Sequence, residues 1–122
     1  MSMAFQLDLH TLELEPDGEV LRIWFNRPES RNAHNQQMVQ EVGDLFIALN
    51  SQSEFRVAVL GGRGKSFCAG ADRKEVLSEP ANDLEARYLG QLGRRAARAI
   101  EDCELVTIAR VHGHAIGGGC CF

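Results

Sequence analysis

Two short apolar runs, over residues 55–60 and 105–111, each lead straight into a loop rich in small residues and glycine. The first loop reads Gly61-Gly62-Arg63-Gly64-Lys65-Ser66, then Phe67-Cys68-Ala69-Gly70-Ala71-Asp72. The second reads His112-Gly113-His114-Ala115-Ile116-Gly117-Gly118-Gly119. This arrangement constrains the fold more than any other feature. Short apolar runs bounded by glycine read as strands buried on both faces, and glycine lets the backbone turn tightly or approach a ligand closely. Helical stripes precede each run. Met38, Val39, Val42, Leu45, Phe46 and Leu49 recur three and four apart behind a capping Asn32 or Asn35. Leu84, Tyr88, Leu92, Ala96, Ala99 and Ile100 do the same over residues 83–102. Strands alternating with helices predict α/β layering.

Ahead of these, the apolar residues of 5–15 alternate and Pro16-Asp17-Gly18 supplies turn chemistry. Leu21, Ile23 and Phe25 then share one face over residues 20–25. This predicts a β-hairpin closed by Asn26-Arg27-Pro28.

Composition removes several classes of function. The chain has 122 residues, enough for one domain, with 44% hydrophobic and 25% charged residues, as in folded globular chains. Thirteen Lys and Arg against seventeen Asp and Glu give a net charge of −4, the wrong sign for a general nucleic-acid binder. No apolar run approaches the roughly 20 residues of a membrane helix. Met1 to His10 lacks a basic region followed by an apolar one, so a cytoplasmic location is expected. Cys68, Cys103, Cys120 and Cys121 form no CxxC pair, and His112 and His114 fit no zinc-ligand spacing. No metal is expected.

The first glycine loop is basic within an acidic chain. Residues 63–74 hold Arg63, Lys65, Arg73 and Lys74 against Asp72 alone, a local net charge of +3. Backbone N–H groups and ammonium groups together suit an anionic, phosphate-bearing ligand. A phosphate-binding P-loop competes for the same residues. Gly64-Lys65-Ser66 matches the end of G-x-x-x-x-G-K-[ST], but the first glycine falls on Val59, and Phe67-Cys68-Ala69-Gly70 is weak material for the helix required at Lys65.

Gly64-Lys65-Ser66-Phe67-Cys68-Ala69-Gly70-Ala71-Asp72, with Lys74-Glu75 after it, resembles the G-x-x-K-x-F-x-A-G-A-D-x-K-E segment of the enoyl-CoA hydratase/isomerase (crotonase) superfamily. Val111 to Gly119 is similar to its V-x-G-x-A-x-G-G-G signature. Asn26-Arg27-Pro28, with Asn32-Ala33 and Asn35 beyond, is similar to its N-R-P-x-x-x-N-A loop. All three stand in family order, each after an expected strand. The resemblance implies a crotonase-like α/β spiral of β-β-α turns. Residues 1–122 then form the N-terminal part of one such domain, truncated before its C-terminal helical region.

The resemblance further implies an acyl-CoA thioester substrate, no separate cofactor, and a homotrimer or hexamer in the complete protein. No nucleic-acid or membrane partner is expected. Backbone N–H groups of Ala71 and Gly118 match the pair of donors that stabilises a thioester enolate oxyanion. Ala33, Ala69, Asp72, Arg73, Lys74 and Gly117 match the CoA-binding positions. Cys121 stands where hydratases usually carry a catalytic Glu, Glu29 where a CoA-facing base often follows Arg-Pro, and Arg31 and His34 where apolar residues are commoner. A second family Glu would fall beyond Phe122. Two further readings stay open at this point: a non-catalytic acyl-CoA binder, and a P-loop-like nucleotide binder. Half of such a spiral is also expected to leave a sheet edge unpaired and apolar helix faces bare.

Overall fold

In the computed structural model, residues 7–70, 82–113 and 115 are described. The expected hairpin forms, with shifted limits. Strand β1 is Leu12–Asp17 and β2 is Val20–Phe25, antiparallel from Leu12 opposite Phe25 to Asp17 opposite Val20. The connection is therefore Gly18-Glu19, with Gly18 at φ +61°, and not Pro16-Asp17-Gly18. Pro16 sits in the strand opposite Leu21, where an edge strand tolerates its missing N–H. Among the described residues the segment ahead of β1 is not strand, contrary to the reading of residues 5–15.

Helix α1, Gln36–Leu49, is capped by Asn35, whose side chain accepts a 2.8 Å hydrogen bond from the Met38 N–H. Of the two candidate caps, Asn32 has another task, described below. Strand β3 is Val57–Gly62, so it takes in the first two glycines of the basic loop. Helix α2, Asp83–Glu101, is capped by Asn82 through the Glu85 N–H at 2.8 Å. Strand β4 is Val106–Ala109.

The four strands lie in chain order, with β2 and β3 parallel and β3 and β4 parallel. One core joins sheet and helices. Leu21, Ile23, Phe25, Ala58 and Leu60 meet Met38, Val42, Leu45, Phe46 and Leu49, with Ala96 and Ala99 of α2 at the margin. Gly43 lets the helices approach, since a Cβ there would lie 2.7 Å from Arg95 Nη1 and 3.7 Å from the Ala96 Cα. Glu41 enters the same interior from α1. Its Oε1 accepts from the Thr11 N–H, the Thr11 hydroxyl and the His10 N–H at 2.8–3.0 Å, tying the segment before β1 to the helix.

One expectation is overturned. The run over 105–111 does not form a buried strand: all four residues of β4 are exposed, with Val106 at 62% and Ile108 at 49%. Among the described residues β4 pairs only with β3, with Val106 and Ile108 in register with Val57 and Val59. The α2 stripe is covered only in its second half among the described residues. Leu92, Ala96 and Ala99 are buried, whereas Leu84 and Tyr88 are exposed.

Candidate functional site

After β2 the chain makes a single 3-10 turn at Pro28–Ser30 and then places Arg31 and Asn32 at φ +54° and +55°. A left-handed conformation costs a non-glycine residue roughly 1–2 kcal/mol, so something must hold it. Backbone bonds do part of this: Arg31 N–H donates to the Pro28 carbonyl at 3.1 Å, Asn32 N–H to Arg27 at 2.8 Å, and Ala33 N–H to Ser30 at 3.0 Å. The Asn32 side chain does the rest. It is fully buried, its Oδ1 accepts from the Arg27 N–H, and its Nδ2 donates to the carbonyls of Arg63 and Ser66, all at 2.8 Å. One amide thus ties the loop after β2 to the loop after β3. In the sequence this residue reads as a possible helix cap and as the Asn of the N-R-P-x-x-x-N-A resemblance, neither of which shows its tie to the second loop.

The loop after β3 is packed too tightly at one point for any side chain. A Cβ on Gly62 would lie 2.5 Å from the Ser66 carbonyl oxygen, 2.7 Å from that of Phe67 and 2.8 Å from Asn32 Nδ2. Beyond it, the Ala69 N–H donates to the Arg31 carbonyl at 3.0 Å and the His34 N–H to the Gly70 carbonyl at 2.8 Å. The two loops therefore run against each other from residue 31 to residue 70. Ala33 is buried and Ala69 half-buried at this junction, so both small residues expected to face a ligand are brought together there.

The loop after β4 completes the junction. Phe67 N–H donates to the His112 carbonyl at 2.8 Å, and His112 Nε2 lies 2.8 Å from the Gly64 carbonyl oxygen. A carbonyl only accepts, so this imidazole nitrogen carries the proton. Gly113, at φ +60°, passes so close that a Cβ would fall 2.0 Å from the Lys65 carbonyl oxygen. Cys68 and Ala115 then form a parallel bridge. The two glycine loops read in the sequence thus lie side by side.

Ala71, Asp72, Arg73, Lys74, Gly117, Gly118 and Cys121 lie outside the described residues. In the sequence, Ala71 and Gly118 each follow a partner of the Cys68–Ala115 bridge by three positions. A cleft of about 490 Å³ opens beside the junction, lined by Pro28, Glu29, Arg31, Gly64, Lys65 and Ser66, with Gly113 at its rim.

Cys68 is fully buried, and burial pushes its thiol pKa up, partly offset by backbone hydrogen bonds from Gly70 and His34. It is therefore a packing residue and not a nucleophile at neutral pH. Lys65 opens no helix: Gly64 and Lys65 form a turn, and residues 66–70 continue without helical structure. A P-loop needs that helix to point its N–H groups at the phosphates, so the P-loop reading loses its geometry. Among the described residues no three potential metal ligands cluster, and no helix is long and apolar enough to cross a membrane.

Comparison with known proteins agrees with the geometry. Residues 15–122 match the family model described as enoyl-CoA hydratase/isomerase. The chain is 37% identical over 115 residues to the short-chain-enoyl-CoA hydratase of Clostridium acetobutylicum, covering 93% of this chain and 43% of that protein. It is 38% identical over 109 residues to the mitochondrial Delta(3,5)-Delta(2,4)-dienoyl-CoA isomerase of Mus musculus, covering 82% and 33%. Among solved structures, an enoyl-CoA hydratase/isomerase from Mycobacterium paratuberculosis superposes with a TM-score of 0.86 at 29% identity, covering 93% of this chain and 46% of that one. An enoyl-CoA hydratase of Mycobacterium smegmatis gives 0.84 at 34% identity, covering 92% and 44%. The chain spans less than half the length of these relatives.

Proposed function

The chain belongs to the enoyl-CoA hydratase/isomerase family, and from that premise we propose that its three loops bind an acyl-CoA thioester and stabilise the oxyanion formed at the thioester carbonyl. Its fold is the N-terminal part of the crotonase α/β fold, a mixed four-stranded sheet with two helices. The observation that carries the proposal is the Cys68–Ala115 bridge, which joins the two glycine loops. The donors are the N–H groups of Ala71 and Gly118, three residues beyond each bridge partner. Small side chains at both positions leave the backbone open to the thioester oxygen. A donor aimed where charge develops is worth about 2.7–4 kcal/mol in the transition state.

CoA itself is held by Ala33, Ala69, Asp72, Arg73, Lys74 and Gly117, with no separate cofactor. The reaction belongs to the hydration and isomerisation class of the relatives, in a protein assembled as a homotrimer or hexamer in the cytoplasm. Cys121 at the usual Glu position favours a second reading, acyl-CoA binding without hydration, because adding water requires a positioned acid or base.

Equilibrium binding of a short-chain enoyl-CoA, followed by a turnover assay on the same sample, tests both readings. Binding at about 1 μM to 1 mM is expected, the usual range for enzyme substrates. Turnover selects the enzyme, and binding without turnover selects the second reading. Absence of binding at millimolar ligand contradicts both.

A further inference from the structure

Arg63, the first residue after β3, is held at its main chain and separately at its side chain. Its N–H donates to the Phe25 carbonyl at 2.9 Å, and its own carbonyl accepts from Asn32 Nδ2 at 2.8 Å. The main chain thus stands where the ends of β2 and β3 meet the loop after β2. The side chain runs to other partners. Nη2 donates to Glu13 Oε1 of β1 at 2.6 Å, and the guanidinium carbon lies 4.1 Å from the centre of the Trp24 ring.

Strand register builds this contact. Glu13 stands opposite Trp24, and Trp24 opposite Gly61, so the three form one row across β1, β2 and β3. Arg63, two positions beyond Gly61, returns to the same side of the chain. Trp24 alternates with Ile23 and Phe25, which lie in the core with α1, so the row occupies the face away from that helix. Gly61 leaves the ring its room, since a Cβ there would fall 3.1 and 3.3 Å from two ring carbons. The buried indole N–H has no acceptor among the described residues, so packing against Gly61 and Arg63 places the ring.

The Arg63 side chain does not line the cleft beside the junction, whereas Gly64, Lys65 and Ser66, the next three residues, all do. We propose that Glu13, Arg63 and Trp24 form a positioning clamp: from the far face of the sheet they fix the Arg63 main chain, and through it the loop of residues 64–66 against which an acyl-CoA binds. The inference rests on the acyl-CoA reading and adds three positioning residues to it, none of which touches the ligand. A loop already ordered loses less conformational freedom on association and so binds more tightly. The carboxylate fixes the guanidinium by a charge-assisted hydrogen bond, and the ring face fixes its plane by a cation–π contact. Both partners of the ion pair are partly exposed, so the pair adds little to global stability and its weight falls on the loop.

The test measures equilibrium binding of butyryl-CoA and butyryl-pantetheine to the intact protein and to Arg63→Ala, Arg63→Lys and Glu13→Gln. Thermal midpoints and the emission of Trp24, the chain's one tryptophan, are recorded on the same samples. Arg63→Ala is expected to weaken both thioesters equally, by about tenfold, because the clamp acts through the main chain and not on the phosphates of CoA. Its thermal midpoint should stay within about 4 °C of the wild type, as for loss of an exposed ion pair. Trp24 emission should move to longer wavelength as the ring loses its cover. Arg63→Lys keeps the charge without the planar stack and should lose about threefold. Glu13→Gln, which leaves Arg63 in place, should also lose about threefold. Unchanged affinity in Arg63→Ala and Glu13→Gln, with wild-type binding intact, overturns the clamp and leaves the acyl-CoA reading standing. So does a loss confined to butyryl-CoA, which would mean that Arg63 meets the phosphates directly. A fall in affinity matched in both variants by a large fall in thermal midpoint also overturns it, since the three residues would then only brace the sheet. A wild-type protein that binds neither thioester overturns both.

Discussion

The two helices carry the same kind of apolar stripe and meet different fates. In α1, Met38, Val42, Leu45, Phe46 and Leu49 are all at most 1% exposed, closed between the sheet and α2. In α2 the stripe is closed only where α1 lies against it, and Leu84 remains 74% exposed. The strands repeat the contrast: β2 is flanked on both sides, whereas β4 ends the described sheet with its side chains open. Periodicity thus determines which element forms. Whether its face is covered depends on what else is present to cover it, and a stripe says nothing of that.

The largest expected effect sets the two helices directly against each other. Phe46→Ala removes a ring buried in the centre of the core and should cost about 3–5 kcal/mol in denaturant unfolding. Leu84→Ala should change stability by no more than about 0.5 kcal/mol. A comparable loss at Leu84 would mean that its face is covered in solution.

A second comparison separates two neighbouring asparagines. Asn32→Ala leaves the Arg63 and Ser66 carbonyls and the Arg27 N–H without their partner and should cost about 2–3 kcal/mol. Asn35→Ala loses one helix cap, about 1 kcal/mol. Ligand affinity should fall in the first variant and hold in the second, because only Asn32 ties the loops together. Equal effects of the two on affinity would contradict that assignment.

Smaller still is the Arg95–Asp44 pair at 2.6 Å that joins the helices, since both side chains are more than a third exposed. Asp44→Ala should cost less than about 1 kcal/mol, and the cost should fade in high salt. The Cys68 thiol gives the finest contrast. Its folded pKa lies above the ordinary 9.0, so the folded state keeps the proton after the unfolded chain has lost it. That contribution is fully present below the unfolded pKa and disappears as pH rises through the folded value. The thermal midpoint should therefore fall more steeply above pH 9.0 in the wild type than in Cys68→Ala. Parallel curves would contradict a buried thiol.

What was legible in the sequence follows the same division. The stripes of both helices, the Asn35 cap and the strand before each glycine loop were readable because each is set by local spacing. Gly62 and Gly113 were readable as glycines of binding loops, although their tightness, with carbonyl oxygens 2.0–2.5 Å from a hypothetical Cβ, belongs to contacts between loops. The hairpin limits slipped because Pro16 reads as a turn residue yet is tolerated in an edge strand. Asn32 and Glu41 escaped for a shared reason: each is a polar side chain whose partners lie about 30 positions away. Glu41 did leave a signal, a carboxylate set into the stripe of Met38, Val42 and Leu45. Exposure of β4 left no signal in its own spacing, and only the unpaired edge expected of half a spiral pointed to it.

The central claim is that the junction of the three loops, and not the open face of α2, is where an acyl-CoA binds. Backbone amide shifts of the isotopically labelled protein, followed through a titration with butyryl-CoA, test it directly. The account predicts saturable shifts among residues 29–34, 62–70 and 111–115, while the amides of residues 84–91 and the β1–β2 hairpin stay in place. Shifts concentrated on residues 84–91, or none at saturating ligand, would contradict it.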